Sequence, residues 1–161
     1  MRVRRWLLTV ALVAAASALP GVEKATATTP AAPTDTVETL YSTAGDLYAE
    51  QRYREAIPLF RHVVELAPRH GNAYALLGGS YLQLGDYPRA IGAFERALEL
   101  DEGIKLAYLG LVAANYLTER VEDARGWVNR MIPILTGEER ERYLATIADQ
   151  FPLLQLTAGG S

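Results

Sequence analysis

The sequence predicts an all-α solenoid: three helical hairpins stacked in order and closed by one further helix. Three observations carry that expectation. The stretch from Tyr74 to Glu102, YALLGGSYLQLGDYPRAIGAFERALELDE, has apolar residues at helical spacing on both sides of Gly85-Asp86-Tyr87-Pro88. The same layout recurs at a shift of thirty-four residues on either side. After the last recurrence comes an amphipathic segment suited to cover an exposed apolar face.

The break inside the quoted stretch reads as a turn between two helices. Gly85 can take a positive φ at the end of the first helix. Asp86 can accept from the free amides at the start of the second. Pro88 falls in the first turn of that helix, where no donor is missed.

The shift of thirty-four brings Ala44 onto Gly78, Tyr53 onto Tyr87, Ala56 onto Ala90 and Phe60 onto Phe94. A second shift brings Leu111 under Leu77, Val121 under Tyr87, Ala124 under Ala90 and Val128 under Phe94. Ala56, Ala90 and Ala124 are then small because the two helices of each hairpin cross there, with Phe60 and Phe94 filling the gap beside them. A fixed period over roughly a hundred residues means hairpins that bury their apolar faces only against their neighbours.

The spacing Tyr74-x2-Leu77-Gly78-x2-Tyr81, followed by Ala90-x3-Phe94-x2-Ala97, resembles the tetratricopeptide repeat. The resemblance covers three units, 37–70, 71–104 and 105–138, and implies a right-handed α-solenoid. The first unit departs at Thr43 and Leu47. The third departs further: Val112 stands in a slot usually small, Asn115 replaces an aromatic, and Pro133 falls late in the second helix. Pro58 is expected near the first turn of a helix beginning near Arg54, where it costs little.

A closing helix is expected over 139–152, with a flexible tail over 153–161. Thr136 and Glu139 have capping-box spacing, and Tyr143, Leu144, Ile147 and Phe151 fall on one face.

The N-terminus has a different character. MRVRRWLLTVALVAAASA carries arginines at 2, 4 and 5, then about thirteen apolar residues, short of the ~20 that span a bilayer. A-x-A patterns end at Ala18 and Ala27, so 1–27 reads as a signal peptide with its cleavage region. Residues 28–36, rich in Ala, Thr and Pro, read as a disordered leader. The expected location is therefore the periplasm or the medium, with no membrane span after cleavage. Cleavage takes Lys+Arg from 16 to 13 against 19 Asp+Glu. An acidic domain of this kind has no footprint for nucleic acid.

Chemistry-bearing patterns are missing. The absence of cysteine excludes disulfides, thiolate metal sites and cysteine nucleophiles. His62 and His70 match no metal motif, and the paired glycines of LLGGSYL lie in no nucleophile elbow or phosphate loop. The acidic pairs fall at helix ends, where caps and dipoles explain them. The chain is expected to be non-enzymatic, with neither cofactor nor metal.

In proteins with this repeat, the first helices of successive units line a groove that holds a partner's peptide or helix. The resemblance carries that role to Tyr41 and Tyr48 of the first unit, to Asn72, Gly79, Leu82 and Gln83 of the second, and to Leu109, Ala113 and Tyr116 of the third. A charged clamp for C-terminal carboxylates, found in one subfamily, is replaced here by Tyr41, Gly45, Leu76, Leu106 and Gly110. Tyrosine suits a contact surface, having large area and few rotors. The expectation is an exported adaptor that binds another protein, with Leu82→Arg abolishing binding and sparing the fold. The alternative is a structural subunit that associates with itself through its solenoid faces.

Overall fold

The computed structural model describes residues 36–154. The expected signal region 1–27, and the leader except for its last residue, lie outside the described residues. Within them the chain forms α1 (Val37–Ala49), α2 (Tyr53–Leu66), α3 (Gly71–Gln83), α4 (Tyr87–Leu100), α5 (Lys105–Leu117), α6 (Val121–Met131) and α7 (Gly137–Gln150). Short 3-10 turns follow at Ile132–Ile134 and Pro152–Leu154. Each of α1 to α5 packs on the next, α3 also touches α1 and α5, and α6 and α7 both meet the 3-10 turn at Pro152–Leu154. α1, α3 and α5 therefore form an inner layer and α2, α4 and α6 an outer layer.

The hairpin crossings are built from the expected residues. Ala56, Ala90 and Ala124 are fully buried, as are Phe60, Phe94 and Val128 one helical turn further on. Each buried phenylalanine contributes about 2–3 kcal/mol by leaving water. Gly78 leaves room for Phe94, whose ring would lie 2.8 Å from a Cβ placed there.

The three turns share a backbone feature. Gly85 has φ +79°, and the residues thirty-four before and after it, Gln51 and Glu119, have φ +62° and +63°. The geometry is common to all units, but only the middle one supplies the residue that adopts it without strain. Beyond the turn, Asp86 Oδ1 accepts from the Arg89 amide at 3.2 Å and Oδ2 from Arg89 Nε at 2.6 Å. In the outer units the polarity is reversed. Arg52 Nε donates to Glu55 at 2.9 Å, and Arg120 Nε to Asp123 at 2.7 Å.

Pro58 departs from expectation. It is the sixth residue of α2, beyond the first turn, and so forfeits the amide bond to the Arg54 carbonyl. Gly92 and Gly126 occupy the same register in α4 and α6, and all three positions are exposed. Near the end of the third unit, α6 stops at Met131 and Pro133 falls in the 3-10 turn.

The closing helix is capped as its sequence predicts. The Thr136 amide and hydroxyl both donate to the Glu139 carboxylate, at 3.2 and 3.0 Å. Lys105 at the start of α5 reaches Glu139 with Nζ–Oε1 2.5 Å, tying α7 to the third unit. Ile147 and Leu154 are fully buried and Phe151 nearly so. Residues 153 and 154 therefore belong to an ordered turn rather than to a flexible tail, with Arg125 Nε donating to the Leu154 carbonyl at 3.2 Å. The rest of the expected tail lies outside the described residues.

Candidate partner-binding surface

The inner layer places the expected groove residues in three rows along α1, α3 and α5. The row Tyr48, Leu82, Tyr116 faces inward, toward neighbouring packing. Tyr48 is 6 % exposed and Leu82 only 1 %. Tyr48 lies across Gly79, where an added Cβ would stand 2.7 Å from its hydroxyl oxygen. Its ring also meets Tyr53 edge-on at 5.3 Å. Tyr116 is half-buried with its ring 5.0 Å from that of Phe151.

These contacts correct the expectation for Leu82. A side chain so enclosed presents nothing to a partner, and its replacement by arginine would act on the core. Gly79 and Ala113 are likewise buried. Tyr48 over Gly79 fills the space between α1 and α3, a pairing between units that only the fold brings together.

The residues left accessible lie on the other rows. Asn72 is exposed; Tyr41, Gln83 and Leu109 are half-buried. Tyr41 packs edge-on against Phe60 at 6.1 Å and lies 4.5 Å from the His70 ring. His70 itself, which matches no metal motif, caps α3 by accepting from the Ala73 amide through Nδ1 at 3.2 Å. Half-buried Leu106 and Leu117 extend the apolar strip on α5.

Electrostatics on this face are those of phenols and amides. Burial pushes the Tyr41 hydroxyl above its ordinary value, and that of Tyr48 further, with a smaller contribution from Tyr53. Both therefore stay protonated as hydrogen-bond donors. The Tyr48 hydroxyl is buried without a partner. Among the described residues no group of three or more His, Cys, Asp or Glu is placed to hold a metal. Nor is any helix among them long and apolar enough to cross a membrane.

Comparison with known proteins adds three findings. The family model described as tetratricopeptide repeat matches residues 41–104 and 80–139. Among curated proteins, the chain is 25% identical over 111 residues to the SGT1 homolog of Oryza sativa subsp. japonica. It is 36% identical over 61 residues to anaphase-promoting complex subunit 3 of Dictyostelium discoideum. The matches cover 69% and 38% of this chain but only 30% and 6% of those two proteins. Among solved structures, the type III secretion translocator chaperone SycD of Yersinia enterocolitica superposes with TM-score 0.68 at 19% identity, covering 76% of this chain and 93% of that one. SycD in complex with a peptide of the translocator YopD gives the same TM-score at 18% identity, over 76% and 94%. The first such domain of RPAP3, bound to an HSP90 peptide, gives 0.62 at 18% identity, over 72% and 93%.

Proposed function

The chain belongs to the tetratricopeptide repeat family, and on that footing we propose that it is a non-enzymatic adaptor, holding a segment of a partner protein against its inner face. One observation carries the reading. The inner layer leaves a strip of Tyr41, Asn72, Gln83, Leu106 and Leu109 at least partly open, joining apolar area to amide groups. Apolar side chains of an extended segment or amphipathic helix would lie along α5 and α1. Asn72, at the N-terminal end of α3, would meet the bound backbone. SycD and RPAP3, which share the fold, are each known in complex with a peptide. That precedent supports a peptide-holding role for the fold.

The setting we propose is the envelope of a bacterial-type cell, reached through the signal region 1–27. The mass of the exported protein would show cleavage after Ala18 or Ala27; a full-length mass would place the chain elsewhere.

Photo-crosslinking from position 109 in the source cell, followed by mass spectrometry, tests the adaptor reading. A single heterologous protein, captured from position 109 but no longer captured once Asn72→Arg is added, supports it. Capture of the chain by itself alone favours the second reading, a self-associating structural subunit, for which the dimer described for SycD is the precedent.

A further inference from the structure

The open residues of the inner layer cluster at one edge. α1, α3 and α5 run parallel, so their first residues, Val37, Gly71 and Lys105, lie side by side along that edge. Asn72 and Leu106 are the second residues of their helices, and Tyr41 and Leu109 are the fifth. All four are at least partly accessible. Further along, Tyr48 and Leu82, each the twelfth residue of its helix, are covered. Half-buried Gln83 stands apart, at the far end of α3.

The chain enters the molecule at this same edge. Thr36, the residue before α1, is exposed and has an extended backbone with φ −72° and ψ 152°. Residues 28–34 just before it read TTPAAPT and carry no charge. The strip of Tyr41, Asn72, Leu106 and Leu109 carries none either, and neighbouring Lys105 is already paired with Glu139. Seven residues in extended form span roughly 23 Å. The inner layer from α1 to α5 is two helix spacings wide, about 16–20 Å. Cleavage after either Ala18 or Ala27 would leave the segment on the chain.

We infer that residues 28–34 lie along this strip of their own molecule and hold it until a partner displaces them. An occupant tethered beside its site acts as if present at about millimolar concentration. A free protein of equal intrinsic affinity has no such advantage. Pro30 and Pro33 have no backbone donor, so the segment covers apolar Leu106 and Leu109 with fewer amides left unpaired. Its carbonyls and threonine hydroxyls suit the donors of the strip, the Asn72 amide and the Tyr41 phenol. Proline also packs well on aromatic rings, and Tyr41 with His70 supplies two, 4.5 Å apart. The consequence, competition with a partner, rests on the adaptor reading; the docking itself is tested without one.

The chain has no cysteine, so Ala31→Cys carries a single nitroxide spin label. The measurement is paramagnetic broadening of backbone amides in the ¹⁵N-labelled chain, expressed with all 161 residues. Broadening should centre on Asn72, Leu106 and Leu109 and spare Gly92 and Gly126 on the outer helices. It should survive dilution and be absent when spin-labelled ¹⁴N chain is mixed with ¹⁵N chain that carries no label. Asn72→Arg, at an exposed position, should weaken it without lowering Tm, as should Pro30→Ser combined with Pro33→Ser. Broadening that is even over the surface or centred on the outer helices overturns the inference, as does an unchanged pattern in both variants. Broadening in the mixed sample also overturns it, and gives the strip to residues 28–34 of a second copy. Crosslinking from position 109 reads the groove independently. A captured partner without broadening keeps the adaptor reading and removes this inference; broadening without a captured partner does the reverse.

Discussion

Phe94 of α4 lies directly over Gly110 of α5: a Cβ built on Gly110 would stand 2.1 Å from the Phe94 ring carbon Cζ. The second and third units therefore meet at a point where one carbon atom does not fit. Phe94 is fully buried and cannot swing away freely. Gly110→Ala gains about 1 kcal/mol of helix propensity but incurs an overpacking cost of about 1–3 kcal/mol. We expect a net loss of up to about 2 kcal/mol in urea unfolding. In Gly92→Ala, where the added methyl meets open space, propensity acts alone and a gain of about 1 kcal/mol is expected. Equal effects in the two variants would show that Phe94 yields.

The inter-helix turns give a second prediction. Gln51 and Glu119 hold a left-handed backbone that suits glycine, as their counterpart Gly85 shows. Glu119→Gly and Gln51→Gly should each change stability by about +0.5 to +1 kcal/mol, the relief of strain exceeding the entropy that glycine adds to the unfolded chain. Gly85→Ala should cost about 1 kcal/mol. Thermal unfolding of the three single variants decides it, and a loss in both glycine variants would refute the assignment of strain.

Leu82→Arg is expected to unfold the second unit instead of silencing a groove. It removes a side chain that is 1 % exposed and leaves a guanidinium without a buried partner. The loss should reach about 4 kcal/mol or more, visible as collapse of the far-ultraviolet helical signal on mild heating. A cooperative melt within a few degrees of wild type would return Leu82 to the surface.

The Lys105–Glu139 contact makes stability depend on pH. Lys105, helped by the amide and hydroxyl of Thr136, holds the Glu139 carboxyl down to about 2. A carboxyl lowered in the folded state stabilises it above the unfolded value of ~4.3. That contribution is lost as pH falls from there toward about 2. Urea midpoints across this window should decline in wild type and decline less steeply in Glu139→Gln. Parallel curves would mean that the pair contributes nothing.

Much of this architecture was legible in the sequence because it rests on spacing. The thirty-four-residue period located all three hairpins, and Gly85, Asp86, Pro88 and the Thr136–Glu139 box marked helix ends through purely local chemistry. What escaped depends on contacts across units. No local pattern says that Tyr48 crosses to Gly79, or that Leu82 is enclosed while Leu109 stays half open. The period gives the face of a helix, but the bulk of the next unit decides which residues on it are covered. Asn115 lay between the two cases: the missing ring was visible as a departure from the repeat, but the burial of its unpaired Oδ1 was not.

Pro58, Gly92 and Gly126 sit at the sixth residue of the three outer helices, all exposed to solvent. Each withholds something from its helix, an amide hydrogen bond at Pro58 and a side chain at Gly92 and Gly126, so the three outer rods carry their weakest point at one shared register along the back of the molecule.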